Sequence, residues 1–442
     1  MRHHVIVVGG GFAGIACVNR LAGEPRVRVT LVERNGYHQF QPLLYQVASA
    51  ELAADDIRFD LREMYGRHDN VDVRTDEVIA IDPAAPSVTF ADGETLGADA
   101  VVLAAGARPN FFHTLGADVH AYPLYSLEDA VRLRSRILQL FKDTAQRPEL
   151  AARGSLTFVV VGGGPTGVET AGALAELVHE VMPRAYSHLS SAPAQVVLVD
   201  LAPGVLGAFS DRAHEYAARQ LRHRRVHLRL GVSAAEVAPD HIRLSDGTVL
   251  PTQLVVWGGG ESAAPLAARA GVPQGHGGRI DVNPDLTVDG YDDFYAVGDV
   301  ANVPHPTDGL TLPQLGSVAA QTGDWAARNI MAGMENGRRE PFAYRDKGIM
   351  AMIGRRAAVA EIGEHRHELH GRLAFTAWLG VHAELLADIG AEMRAFTTWA
   401  EEFYLRPHHR SRQLLDPATV DQPRIGWHHR HHKERHEDQA QA

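Results

Sequence analysis

Residues 5–22 read VIVVGGGFAGIACVNRLA and residues 158–177 read FVVVGGGPTGVETAGALAEL, and the fold follows from their being two copies of one pattern. Each opens with a short β-branched apolar run and passes through spaced glycines: Gly9, Gly11 and Gly14 in the first copy, Gly162, Gly164 and Gly167 in the second. Helical periodicity follows in both. A strand, a glycine turn and a helix in that order aim backbone N–H groups and the positive helix end at a pyrophosphate. One such triplet is a weak signal. Here each copy continues to a second strand that ends in an acid, VRVTLVE at Glu33 and AQVVLVD at Asp200, where a carboxylate can accept from ribose hydroxyls. Two dinucleotides on one chain imply a flavin that stays and a nicotinamide that comes and goes, the pattern of a flavoprotein oxidoreductase. A carboxylate at Asp200 also repels a 2′-phosphate, so NADH is expected over NADPH unless Asp200 does no more than end its strand. The acid follows the last glycine by 19 residues in the first copy and by 33 in the second. The surplus predicts a longer helix through ELVHEVMPRAYSHLSS.

At 442 residues, 45% of them hydrophobic, the chain can bury two or three cores. A formal net charge of −11 argues against a nucleic-acid partner and gives no general attraction to an anionic membrane, so any membrane contact must come from a local patch. The first strand begins directly after Met1, which leaves no room for a signal peptide, and no apolar run approaches the length of a membrane span. A cytoplasmic protein is expected. Cys17 is the single cysteine, whereas disulfide-reductase and sulfide-oxidising mechanisms need two thiols near the flavin. It reads as a small buried residue facing the sheet. Histidines cluster in HRHELH (365–370) and HHRHH (428–432) without a Cys or carboxylate framework at ligand spacing, which reads as a solvated loop and a tail. No metal site is expected.

The expected fold is α/β: two Rossmann-like dinucleotide-binding domains, one inserted in the other, with a C-terminal strand-plus-helix region. Residues 1–118 and 276–345 form the first domain and 119–275 the inserted one. In SLEDAVRLRSRIL (126–138), Ser126 is placed to cap a helix whose first turn holds Glu128 and Asp129. Residues 346–415 begin with a strand pair in DKGIMAMIGRRAAVAEIGEH and continue as helix, and residues 416–442 form a disordered His-rich tail.

Composition does not explain NGYHQFQPLLYQVASAEL (35–52). With SLEDAVRLRSRIL, FYAVGDVA (294–301), MAMIGRRAAVAEI (350–362) and both fingerprints in order, it resembles the type II (non-proton-pumping) NADH:quinone oxidoreductases over about residues 3–405. The resemblance implies non-covalent FAD in the first site, NADH in the second, hydride transfer to the flavin, then two-electron reduction of a quinone. No side chain need act as nucleophile. In the first site the resemblance adds Phe12, Ala13, Arg34, Gln41, Pro42, Ala105, Gly106, Gly298 and Asp299; in the second, Pro165, Thr166 and Gly259. Glu169 matches a family acid near the nicotinamide and quinone ends of the flavin, although a glutamate in a first helical turn is also stabilised by the dipole alone. Gln321 matches the second of two family glutamines one helical turn apart. Ser317 stands where the first belongs, with Gly316 in place of a neighbouring alanine and Gly258–Gly259 in place of a Thr-Ala pair. The shorter serine leaves more room and puts the acceptor in question.

Family members use the C-terminal region for membrane docking and dimer contacts. Here Trp378, Val381, Leu385, Ile389, Met393, Phe396 and Phe403 form an apolar stripe at helical spacing. Its polar side carries Glu384, Asp388, Glu392, Glu401 and Glu402, which anionic lipid would repel. Packing on the protein's own body or on a second subunit is an alternative to membrane insertion, and the basic run RPHHRSRQ (406–413) keeps weak peripheral attachment at the inner face of the cell membrane open. Two further functions stay open: a soluble NADH-dependent flavin reductase of another quinone-like or aromatic acceptor, and a non-catalytic NADH-responsive flavoprotein.

Overall fold

Both fingerprint strands sit inside parallel sheets with the same local topology. In the first sheet His3–Val8 lies between Val27–Val32 and Ala100–Leu103, with Val71–Arg74 beyond one and Tyr291–Ala296 beyond the other. In the second, Thr157–Val161 lies between Gln195–Asp200 and Leu254–Trp257, flanked by Val226–Leu230 and Ala121–Pro123. The helix after each fingerprint strand crosses over to one neighbour, while the other neighbour arrives from later in the chain. The strand order therefore reverses at the glycine turn, where open α/β sheets bind ligands. The computed structural model describes residues 2–186, 189, 194–305, 310–363, 365–385 and 398–399.

Insertion of one unit into the other is visible at the crossovers. The outgoing strand Ala107–Pro109 pairs antiparallel with the returning strand Glu261–Ala263, and the chain then supplies Tyr291–Ala296 to the first sheet. Between the units runs the helix Leu127–Gln146. Ser126 caps it by accepting from Asp129 N, while the Asp129 carboxylate accepts from Ser126 N, a reciprocal capping box. The second fingerprint helix, Pro165–Glu176, continues through a π-helical stretch, Leu177–Val181, and a last turn, Met182–Ala185, so the expected lengthening reaches Ala185 and stops at Tyr186, while residues 187–188 and 190–191 of the expected helix lie outside the described residues.

The first sheet's core includes Cys17, buried on the fingerprint helix Phe12–Leu21. Against that helix packs Gly316–Met334, so closely that a Cβ at Gly323 would lie 1.9 Å from Ala13 O. A second core has an unexpected membership: Phe40, Leu43, Leu44, Tyr45, Val47, Leu52 and Phe59 pack with Leu127–Gln146, the second fingerprint helix, and the C-terminal strands and helix. Residues 40–59 thus bind the three parts of the chain together.

The C-terminal region is a three-stranded antiparallel sheet, Gly348–Gly354, Ala357–Ile362 and His367–His370, followed by the helix Arg372–Glu384. The third strand corrects the solvated-loop reading of HRHELH; it is an exposed edge strand, so its alternation carries no apolar signal. The helix buries Ala374, Phe375, Trp378, Leu379 and His382, while Leu373, Val381 and Leu385 are 73%, 37% and 50% exposed. The expected stripe therefore straddles the edge of the buried face, with Trp378 inside and Val381 and Leu385 outside. Ile389, Met393, Phe396, Phe403, Asp388, Glu392, Glu401, Glu402, the basic run 406–413 and residues 416–442 lie outside the described residues. Among the described residues no helix is long and apolar enough to cross a membrane.

Candidate functional site

The two glycine turns share one backbone construction. Gly9 has φ +110° and Gly162 φ +113°; a Cβ on either would lie 2.3 Å from a carbonyl of the neighbouring strand's end, Ala104 O and Gly258 O respectively. At Gly14 and Gly167 a Cβ would lie 1.8 Å from the carbonyl of the turn's first glycine. Gly11 and Gly164 differ in kind. Neither has a heavy atom within 4 Å of its Cβ position, so a side chain there would project into open space. Each is the N-cap of its helix and makes no side-chain capping bond, leaving the first-turn N–H groups of Phe12–Leu21, and those following Pro165 in Pro165–Glu176, for an outside acceptor. The outer glycines fit helix to strand, and the middle one keeps the approach clear.

The acids hold these turns. Glu33 accepts from Gly10 N at 2.7 Å and Asn35 N at 3.1 Å; Asp200 accepts from Gly163 N at 2.5 Å and Ala202 N at 2.6 Å. Asp200 therefore does more than end a strand, and both acids keep lone pairs for ribose hydroxyls. The carbonyl behind each turn is held as well. His38 Nδ1–H donates to Gly10 O at 2.8 Å, and Leu206 N–H donates to Gly163 O at 2.7 Å. Burial lowers the His38 pKa and keeps its ring neutral, as a donor with one acceptor nitrogen requires.

Around the first turn the structure gathers several expected residues. Gly298, at φ +69°, lies under Ala13, where a Cβ would be 2.9 Å from the alanine methyl, and Gly298 N donates to Thr322 Oγ1. Asp299 follows on the same turn. Burial pushes its carboxyl up to about 6 against the pull of Arg279. The Phe12 ring meets His38 and Phe40 edge-on at 5.5 Å each. Gln41 and Pro42 form a partly buried single turn, Arg34 is exposed, and Ala105 and Gly106 lie at the crossover, where Gly106 O accepts from Ala264 N. At the second turn Pro165 and Thr166 are exposed at the helix start, and a Cβ at Gly258 or Gly259 would meet its neighbours at 3.4 Å or more. These two glycines answer no steric demand.

Glu169 departs from its expected setting. It is the fifth residue of its helix, past the first turn, so the dipole reading does not account for it. Its carboxylate accepts from Met352 N at 3.0 Å, a contact possible because Gly172 brings strand Gly348–Gly354 so near that a Cβ there would lie 2.1 Å from Ile353 O. Burial pushes the carboxyl up to about 8, with the Met352 N–H and the Trp378 indole opposing. Aromatic and polar groups surround it. The Tyr45 hydroxyl donates to Met352 Sδ and accepts from Gln46 Nε2, Trp399 Nε1 donates to Gln46 Oε1, and Trp378 stacks on His382 at 3.8 Å. Sequence reading named none of Tyr45, Met352, Trp378 or His382 as site residues; the quoted segment 35–52 was the one pointer to Tyr45.

Ser317 and Gln321 share a helical face, but their polar atoms are engaged. Ser317 Oγ lies 3.0 Å from the Tyr344 hydroxyl, and the Gln321 amide pairs with Arg345, donating to its carbonyl and accepting from its N–H, both at 3.0 Å. Tyr344 is the neighbour of the shorter serine.

Residues 3–323 match the pyridine nucleotide-disulphide oxidoreductase family. Within it, the chain is 35% identical to "Type II NADH:quinone oxidoreductase Ndh" of Mycobacterium tuberculosis, over 91% of this chain and 88% of that one. The chain belongs to the type II NADH:quinone oxidoreductases. Their NdhA from the same organism is 34% identical over 91% of this chain and 87% of the relative. The fold agrees: the structure titled NDH2 from Plasmodium falciparum in complex with NADH superposes with a TM-score of 0.83 at 18% identity, over 92% of this chain and 99% of that one. The sulfide:quinone oxidoreductase of Aquifex aeolicus shares the fold at a TM-score of 0.71 and 19% identity, over 92% and 96% of the two chains. A type II NADH:quinone oxidoreductase needs no thiol pair, and this chain's single cysteine lies buried in the first fingerprint helix with its thiol pushed up to about 12 by burial.

Proposed function

We propose that the protein passes a hydride from NADH to FAD and then two electrons to a quinone, without pumping protons. The observation that supports this most is the duplicated cradle in a chain with one buried cysteine: two dinucleotide sites and no thiol relay between them. The first cradle suits FAD. Gly9, Gly11, Phe12, Ala13 and Gly14 leave the helix N–H groups open to a pyrophosphate, Glu33 keeps lone pairs for a ribose, and Asp299 offers a carboxylate from the opposite side, with Arg34, Gln41, Pro42, Ala105, Gly106 and Gly298 completing the surround. Gly162, Gly164, Pro165, Thr166, Gly167, Asp200 and Gly259 take NADH in the same way, with Asp200 disfavouring a 2′-phosphate. FAD supplies the hydride-accepting and electron-donating chemistry when bound.

Two features bear on the quinone. Glu169 holds a proton at neutral pH, next to an apolar wall of Tyr45, Met352 and Trp378, and can give that proton up as quinone oxygen becomes basic. Ser317 and Gln321, tied to Tyr344 and Arg345, brace the helix beside the first cradle and position its acceptor side. The exposed Leu373, Val381 and Leu385 provide an apolar edge for peripheral contact at the inner face of the cell membrane, or for a second copy in a homodimer. The test is spectroscopic. The purified protein should release FAD on denaturation and be reduced by NADH much faster than by NADPH; a protein that takes up no FAD defeats the reading.

A further inference from the structure

The returning strand Glu261–Ala263 pairs with Ala107–Pro109, Glu261 opposite Pro109, and packs against the turn Gly298–Val300, which carries Asp299, and the turn His276–Gly278. The packing brings Glu261, partly buried, near enough to the turn of Asp299 for the two carboxyl charges to act on each other. Among the described residues neither accepts a hydrogen bond from a protein donor. Arg279, the cation acting on both, spends three of its five N–H donors elsewhere: Nε on His276 O at 3.2 Å, Nη1 on Leu312 O at 3.0 Å and Nη2 on Thr311 Oγ1 at 3.0 Å. The nearby Tyr125 hydroxyl donates to Gly260 O at 2.6 Å, so its proton is also taken. Arg108 lies opposite Ser262, on the other face of the strand pair, and is exposed, as is His276.

Two carboxyls without donors, set together, do not both ionise readily, and a pyrophosphate arriving in the same cradle adds negative charge. The proton then goes to the group that is worse off as an anion. Burial and Asp299 push Glu261 up to about 8, with Arg279 opposing, while Asp299 stands at about 6. At neutral pH one is a carboxylate that can only accept, and the other an acid that can donate. We propose that Glu261 is a further binding residue of the first dinucleotide site, a carboxylic acid whose O–H donates to an acceptor oxygen of bound FAD beside the accepting carboxylate of Asp299. This rests on the first cradle being the FAD site.

The test is FAD affinity of the apo-protein, read from flavin fluorescence between pH 7 and pH 9.5, for the wild type and Glu261→Gln. Burial lowers His38 and Asp299 stands at about 6, both below that window, whereas Glu169, at about 8, titrates inside it in both proteins, so the difference between wild type and Glu261→Gln carries the reading. Wild-type Kd should weaken above about pH 8, approaching roughly tenfold per pH unit, because the free protein loses a proton that the complex retains. Glu261→Gln keeps a donor and cannot ionise, so its Kd should stay flat and become the tighter at high pH. If that variant does not fold, calorimetry of the wild type at pH 8.5 in two buffers of different ionisation enthalpy gives the second reading, with uptake on the order of one proton per FAD expected. A flat wild-type Kd, an unchanged slope in Glu261→Gln, or FAD binding without proton uptake overturns the role of Glu261 and leaves the FAD site standing. Absence of FAD binding at every pH overturns both.

Discussion

Replacing Glu169 with Gln should leave stability nearly unchanged at pH 4 and raise it at pH 9. The native carboxyl titrates at about 8 instead of 4.5, so between those values the folded protein holds a proton that the unfolded chain releases. Stability therefore falls as pH rises through that interval and levels off above it. At about 1.4 kcal/mol per pH unit the ceiling is about 5 kcal/mol, and water entry and local relaxation should reduce the realised difference to about 2 kcal/mol. Glutamine keeps a carbonyl for Met352 N–H and has no charge to bury, so the variant escapes the loss. The assay is the melting temperature of both proteins from pH 4 to pH 9 at one fixed scan rate, since a chain with several cores can unfold irreversibly. The variant should gain on the order of 2–5 °C over the wild type at the alkaline end. A difference that does not change with pH, or a variant less stable at pH 9, would show that burial does not raise the Glu169 carboxyl.

The remaining predictions concern the two cradles and the helix beside the first. Asp200→Asn keeps an acceptor for the turn while removing the charge, so reduction by NADPH should speed up relative to NADH; an unchanged ratio shows that Asp200 does not discriminate. Gly164→Ala and Gly172→Ala should separate binding from folding. The first, with open space at its Cβ, should melt like the wild type but lose NADH affinity, whereas the second drives a methyl into Ile353 O and should lose about 2 kcal/mol or more, with equal melting temperatures counting against the packing described. Gln321→Ala cuts both bonds to Arg345 and should slow reoxidation by quinone while leaving reduction by NADH nearly unchanged; equal effects on both half-reactions would remove this helix from the acceptor side.

What the sequence shows of this protein is what local chemistry dictates. The glycine triplets are legible because no other residue fits Gly14 or Gly167, and the Ser126 cap because its partner is three residues away. Asp200 was expected to meet ribose, but its bond to Gly163 N depends on how the second strand lies against the turn, which spacing alone does not specify. Distant pairs leave no local trace. Ser317 with Tyr344 and Glu169 with Met352 appear only when separate elements pack, as does the burial of Phe40, Leu43–Tyr45, Val47 and Leu52 between the two units and the C-terminal sheet. His367–His370 was hidden for the opposite reason: an edge strand whose single inward apolar residue is the partly buried Leu369 has no apolar periodicity to read.

The most direct test is a double-mixing stopped-flow experiment under anaerobic conditions, in which NADH is mixed with the FAD-loaded protein and a short-chain quinone is added once the flavin band has bleached. A type II NADH:quinone oxidoreductase should bleach fully with one NADH per flavin and recover its oxidised spectrum with one quinone. Bleaching without recovery would contradict quinone as the acceptor, and failure to bleach would contradict NADH as the donor.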